Sequence, residues 1–308
     1  MRHGTYSIVA LDPATGELGA AVQSHWFSVG SLCTWARPGV GAVATQSVVE
    51  PAHGPHALDR IAGGATADDA LRELIAADPL GAVRQVGVVD AGGNVAVHSG
   101  ANCIPCAGDA LGPHWSCQAN MMARDTVPQA MSAAFEHAEG DLAARLMAAL
   151  QAAEGEGGDV RGRQSAAITV VPPEGEPWQT RIDLRVEDHE DPLAELERLL
   201  TLQRAYELAG RGDELMGGGR PVEAGALYRR AAELAPQSDE LLFWAGPALA
   251  HSGDEEAGVD AVRRAIAKHP GWATLLDRLS PEFAPAGEAV RRALLDYPAA
   301  RRARRAAT

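Results

Sequence analysis

The sequence predicts an α+β fold, two antiparallel sheets flanked by helices, followed by an all-helical region. Three observations carry this. Strand-like runs come in neighbouring pairs joined by turn chemistry, helical runs arrive two at a time between them, and from about Pro192 the strands stop. The order strands, helices, strands, helices, strands excludes a simple alternating βαβ fold.

The chain opens on a strand-like run, Gly4 to Asp12, turns at Pro13-Ala14-Thr15-Gly16, and returns over Glu17–Ser24. That is a β-hairpin pattern. Val29–Ala36 and Val40–Gln46 read as two further strands around Arg37-Pro38-Gly39. Ala57–Ala62 reads as helix, and a second helix opens at Thr66, an N-cap with Asp69 at the third helical position and Ala70, Leu71, Leu74 and Ile75 at helical spacing. Strands are expected at Arg84–Asp90, Val95–His98 and Trp115–Met121. Helices follow at Val127–Ala138 and Leu142–Ala153, the latter capped by Asp141, and strands at Gln164–Val171 and Trp178–Val186 close the region.

Beyond it lies an internal repeat with a period of 34 residues. Ala235-Pro236 recurs as His269-Pro270, Gly212 as Gly246, Gly219 as Gly253 and Ala231 as Ala265, while Tyr228 and Val262 share one large apolar position. This is the tetratricopeptide period. The two units run Ala205–Ser238 and Asp239–Trp272, with Leu208 and Leu242 where a tryptophan is usual, and helices Leu193–Leu202 and Ala286–Leu295 are expected to cap them. The domains expected are therefore 1–190, 191–300 and a basic disordered tail at 301–308.

Composition narrows the function. The 308 residues are 46% hydrophobic, enough for buried cores, and the formal charge of −14 argues against a chain-wide nucleic-acid or anionic-membrane surface. No apolar run approaches a bilayer span, and Asp12 interrupts what a signal peptide would keep apolar. Four cysteines are too few for a disulfide scaffold. A reduced cytoplasmic protein without nucleic-acid or membrane partners is expected, and a homodimer, because closed symmetric oligomers are common.

Four groups of residues offer chemistry. Thr5, set free at its amino group, has a hydroxyl to attack a carbonyl and an α-amine, of pKa roughly 8, to take the proton. The other reading is a threonine that merely starts a strand. Three routes stay open: self-cleavage at Gly4–Thr5, a translation start further on, or no nucleophile at all. The glycine-rich stretch Gly157–Ser165 carries Asp159 and Arg161, which on an extended backbone face one side and hold a zwitterion, carboxylate on Arg161 and amine or ureido N–H on Asp159. A structural ion pair at a helix end is the alternative. Cys103, Cys106, His114 and Cys117 have the residue types of a zinc site but not its paired spacing, so free thiols and no metal are expected. Ser24, His25, Gln46 and Asn120 each fall at or beyond a strand end, where they bind substrate or an oxyanion, or simply satisfy the strand edge. No G-x-S-x-G elbow is present.

Several long blocks resemble one family. TYSIVALDPATGELGAAVQSHWFSVG (5–30), WARPGVGAVATQS (35–47), QVGVVDAGGNVAVHSG (85–100), CQANMM (117–122) and GGDVRGRQSAAI (157–168) make residues 5–190 similar to the DUF1028 family, assigned to the Ntn-hydrolase superfamily. The resemblance implies a four-layer αββα sandwich, with Thr5 at the position of an N-terminal nucleophile, although Arg2-His3-Gly4 departs from a pattern in which Thr follows the initiator Met. It implies that Asp159 and Arg161 match a substrate-gripping loop. It also implies hydrolysis of a small linear amide or ureido C–N bond, ureidoacrylate being one suggested substrate, without a cofactor. The expected roles are Thr5, Ser24, Gln46 and Asn120 in catalysis, with Asp159, Arg161 and His25 on substrate. A protein partner is expected at the tetratricopeptide-like region. The competing expectation is a non-catalytic scaffold built on a degenerate core.

Overall fold

The computed structural model of the chain describes residues 4–281, 283, 284 and 286–295, so the tail expected at 301–308 lies outside the described residues. The chain divides into two compact units that meet in sequence at Arg198 and Leu199.

In the first unit the hairpin forms as read: β1 (Thr5–Leu11) pairs with β2 (Leu18–Ser24). The run Val29–Ala36 does not stay extended. Ser28 takes a left-handed backbone (φ 57°), Gly30–Cys33 make one helical turn (α1), and only Thr34–Arg37 form β3. Strand β4 (Gly41–Ser47) is followed by helices α2 (His53–Ala62) and α3 (Ala67–Ala77), and Thr66 caps α3 by accepting from Asp69 N at 3.2 Å. Strands β5 (Arg84–Asp90) and β6 (Val95–Ser99) come next. Then comes β7 (Gly108–Leu111), a short edge strand with no alternation to announce it, and β8 (Trp115–Asn120). Helices α4 (Val127–His137) and α5 (Leu142–Gly155), with Asp141 as the cap of α5, precede β9 (Ser165–Val171) and β10 (Ile182–Val186).

All strand pairs are antiparallel, in two sheets. One has the order β10-β9-β2-β1-β8-β7, the other β3-β4-β5-β6. Helices α4 and α5 lie on the six-stranded sheet, α2 and α3 on the four-stranded one, and β1 and β2 face β4. Period-2 alternation then sorts the inner strands. Along β1, Thr5, Ser7, Val9 and Leu11 look at the other sheet, while Tyr6, Ile8 and Ala10 look at the helices. Far from Thr5 the inter-sheet space is apolar, filled by Val9, Leu18, Ala20, Ala42, Ala44, Val89 and Val171. Toward Thr5 it turns polar. There Gly87 has no side chain because a Cβ would sit 2.4 Å from the Gln118 amide oxygen.

A buried ion cluster anchors the start of β5. Arg84 donates from Nε to Asp78 Oδ2 at 2.7 Å and from Nη1 to the Val48 carbonyl at 2.6 Å, and His53 Nε2 lies 3.0 Å from the same Asp78 oxygen. Burial opposes the Asp78 charge. The hydrogen bonds from Arg84, Leu80 N–H and His53 prevail and bring its pKa down to about 2.

The second unit is helical. Helix α6 (Pro192–Gly217) starts within the first unit and runs well past the expected Leu202, and α7 (Pro221–Leu234), α8 (Asp239–His251), α9 (Glu255–Lys268), α10 (Gly271–Arg278) and α11 (Gly287–Leu295) follow. The repeat has a spatial counterpart. A Cβ on Gly212 would lie 3.0 Å from the Tyr228 ring, and one on Gly246 would lie 2.2 Å from Val262 Cγ2. Each glycine therefore lets its helix touch the next at the shared apolar position. Among the described residues no helix is long and apolar enough to cross a membrane.

Candidate functional site

The ends of β1, β2, β4 and β8 converge. Thr5, the first residue of β1, is flanked by Ser24 across β2 and by Asn120 across β8. Thr5, Ser24, Gln46 and Asn120 are all fully buried. Strand alternation points all four into the polar half of the inter-sheet space.

A short hydrogen-bond chain joins Thr5 to the residue before it. Thr5 Oγ1 donates to Ser24 Oγ at 3.0 Å, and Ser24 Oγ donates to the Gly4 carbonyl oxygen at 2.5 Å. Arg161 Nη2 donates to the same oxygen at 2.8 Å. The Gly4 carbonyl thus accepts two bonds, one of them charge-assisted, beside the threonine hydroxyl. That is the arrangement that stabilises an oxyanion.

Gln46 and Asn120 act one peptide further on. Gln46 Nε2 lies 3.1 Å from the Thr5 carbonyl oxygen, 2.8 Å from Gln85 Oε1 and 3.2 Å from the Gln118 carbonyl. Asn120 Nδ2 reaches Gln85 Oε1 at 3.0 Å and the Thr5 carbonyl at 3.5 Å. As placed they fix the Thr5 backbone and do not touch the Gly4 carbonyl. Asn120 Oδ1 is buried with no partner among the described residues.

Sequence reasoning missed the rest of this network. Ser7 Oγ donates to Gln46 Oε1 at 2.6 Å and accepts from Gln118 Nε2 at 2.7 Å, and Ser116 Oγ donates to Gln118 Oε1 at 3.1 Å. Gln85 Nε2 reaches Ser99 Oγ at 2.9 Å, and Ser99 passes its proton bond to Asp109 at 2.6 Å. The signal was available. Ser7, Gln118 and Ser116 share the strand phase of Thr5 and Asn120, so polar residues repeat at i and i+2 where core residues belong.

Asp159 and Arg161 come from a turn, correcting the extended backbone expected there: Gly162 N donates to the Asp159 carbonyl at 2.8 Å. The two are paired with each other, Arg161 Nη2 on Asp159 Oδ2 at 2.7 Å and Nε on Oδ1 at 3.0 Å. Backbone N–H groups of Arg161 (2.9 Å) and His25 (3.2 Å) complete the shell around a carboxylate whose side chain is wholly buried. His25 therefore serves Asp159 through its backbone, and its ring Nδ1 lies 3.2 Å from the Arg163 carbonyl.

Behind the sheet, Tyr6 donates its hydroxyl to Glu154 Oε2 at 3.1 Å, and Arg163 lies 3.7 Å from Glu154 Oε1. Burial raises the pKa of both Tyr6 and Glu154.

The cysteines disperse. Cys103 Sγ bonds the Arg84 carbonyl at 3.4 Å, Cys106 is exposed, and burial alone pushes the Cys33 thiol up to about 12 and Cys117 higher still. Among the described residues no three His, Cys, Asp or Glu side chains stand together as a metal site.

Comparison with known proteins fits this core. The crystal structure of SPO2555 from Silicibacter pomeroyi, described as a DUF1028 protein, superposes with a TM-score of 0.59 at 30% identity, covering 64% of this chain and 88% of that one. No curated protein matches. Residues 5–196 match the family of unknown function DUF1028, and the chain belongs to that family.

Proposed function

We propose that this protein is an Ntn-type amidohydrolase that frees its own nucleophile by cutting the Gly4–Thr5 bond and then hydrolyses a small linear amide or ureido C–N bond. The observation that carries this is the path Thr5 Oγ1 to Ser24 Oγ to Gly4 O, with Arg161 on the same oxygen. The facing sheets with outer helices support the αββα sandwich that such enzymes share.

In the first step Thr5 Oγ1 attacks the Gly4 carbonyl carbon. Its proton goes to Ser24 Oγ as Ser24 passes its own proton to the Gly4 oxygen, so the negative charge that develops on that oxygen in the transition state is kept small and ends neutralised. Arg161 stabilises the oxygen throughout. Collapse breaks the C–N bond: the Gly4 hydroxyl gives up its proton as its C=O re-forms, the leaving Thr5 nitrogen takes up a proton, and an ester joins Gly4 to Thr5 Oγ1. Water hydrolyses the ester to a Gly4 carboxylate, a free Thr5 hydroxyl and a free amine. That amine then serves as general base for substrate. Ser24 and Arg161 polarise the substrate carbonyl, Gln46 and Asn120 hold the Thr5 backbone, and Asp159 with His25 fixes Arg161. No step calls for a metal or cofactor.

The glycine contacts repeated at Gly212–Tyr228 and Gly246–Val262 favour a tetratricopeptide-like second unit, and recruitment of a protein partner is the role we assign it.

The test is intact mass with N-terminal sequencing of wild type and Thr5→Ala, and assay of both against small ureido and amide acids. A wild-type chain beginning at Thr5, with Thr5→Ala uncut and inactive, is expected. An uncut and inactive wild type overturns the hydrolase in favour of the scaffold.

A further inference from the structure

Gly4 does more than precede Thr5. Its carbonyl is held by Ser24 and Arg161, and its α-carbon rests against the Asp159 carboxylate. A methyl built on that carbon lies 2.8 Å from Asp159 Oδ2, 2.9 Å from Oδ1 and 3.0 Å from Arg161 Nη2. Carbon never packs that close to oxygen in a relaxed contact, so either the methyl or the carboxylate must give way.

The carboxylate is poorly able to give way. Asp159 has a short side chain, wholly buried, fixed by the Arg161 backbone N–H, Arg161 Nε and Nη2, and the His25 backbone N–H. Moving it would also release Arg161, whose Nη2 bonds the Gly4 carbonyl at 2.8 Å. Excluding a side chain and polarising the carbonyl are therefore the work of one rigid pair.

We propose that Asp159 and Arg161 form an acyl seat that accepts glycyl-type acyl groups and rejects L-configured acyl groups branched at the α-carbon. Gly4 is its first occupant. This rests on the hydrolase reading, because it treats the Gly4 position as the place where the acyl part of a substrate binds. It gives that reading a substrate class: amides of glycine and of N-substituted glycines.

The experiment has two arms. In the first, wild type and Gly4→Ala are followed by intact mass. Wild type is expected to lose residues 1–4, and Gly4→Ala to do so about tenfold more slowly or not at all. In the second, N-acetylglycine and N-acetyl-L-alanine are titrated calorimetrically into a chain in which Met1 is followed directly by Thr5, after mass confirms that the methionine has been removed. N-acetylglycine is expected to bind about tenfold more tightly or better. Where wild type is cut, cleavage of Gly4→Ala at the same rate overturns the seat, and equal binding of the two acids or binding of neither overturns it in every case. If wild type stays uncut while N-acetylglycine is still preferred, the hydrolase reading falls and the seat stands. If Gly4→Ala does not fold, the second arm decides.

Discussion

Ser24 stands between Thr5 and Gly4 as acceptor to one and donor to the other, its Oγ 3.0 Å from Thr5 Oγ1 and 2.5 Å from the Gly4 carbonyl oxygen. Across the sheet it is simply the residue paired with Thr5. Strand register alone thus places a proton carrier beside the candidate nucleophile.

Replacing that hydroxyl removes both bonds at once and leaves Arg161, among the described residues, as the donor to the Gly4 carbonyl. Ser24→Ala is expected to slow Gly4–Thr5 cleavage by about a hundredfold or more, the usual cost of losing one oxyanion donor. Intact mass against time reads the rate, and circular dichroism checks that the fold is unchanged. Cleavage at the wild-type rate would remove Ser24 from the chemistry.

Asp78 makes the first unit acid-sensitive in a defined window. Its folded pKa, about 2, lies below its ordinary 3.8. A carboxylate depressed in this way contributes stability that is present above 3.8 and lost as pH falls through 2. The contribution is about 2 kcal/mol. Wild type and Asp78→Asn should therefore differ most near neutral pH and converge toward pH 2. Urea denaturation at a series of pH values measures the gap, and a gap that widens on acidification would contradict the assignment.

The helix contacts of the second unit predict an ordered pair of substitutions. A methyl at Gly246 meets Val262 Cγ2 at 2.2 Å and the Gly258 carbonyl at 2.8 Å, whereas the nearest atoms to one at Gly212 are those of the Tyr228 ring, at 3.0 to 3.2 Å. Gly246→Ala should cost about 1–3 kcal/mol and Gly212→Ala distinctly less. Differential scanning calorimetry of the full chain should show the larger loss in Gly246→Ala.

Much of the fold was legible because it follows from local chemistry. The Pro13-Ala14-Thr15-Gly16 turn set the first hairpin, and Thr66 and Asp141 marked the helix starts they cap. Where reading failed, the cause is physical. One helical turn, Gly30–Cys33, is too short to show a period, so a run of small and β-compatible residues passed for strand. Strand β7 lies at a sheet edge with three of its four residues half-buried, where alternation has nothing to sort. At the site, Thr5, Ser24, Gln46 and Asn120 do come together, but which carbonyl each would serve depends on the register of strands far apart in sequence. The turn at Asp159 was hidden because a glycine-rich stretch permits extended and turned backbones alike.

The division of the inter-sheet space into an apolar end and an amide-lined end governs how the two halves tolerate change. Val9, Ala42, Ala44 and Val89 make non-directional contacts, so exchanges of similar volume there are absorbed by small side-chain shifts. Ser7, Gln46, Gln85 and Gln118 are bound through oriented donors and acceptors, and a single replacement leaves a neighbour buried and unsatisfied. Random mutagenesis should therefore leave one end of the same pair of sheets open to apolar exchanges of similar volume and the other nearly silent in variation, with the boundary falling between Ser7 and Val9 on a single strand.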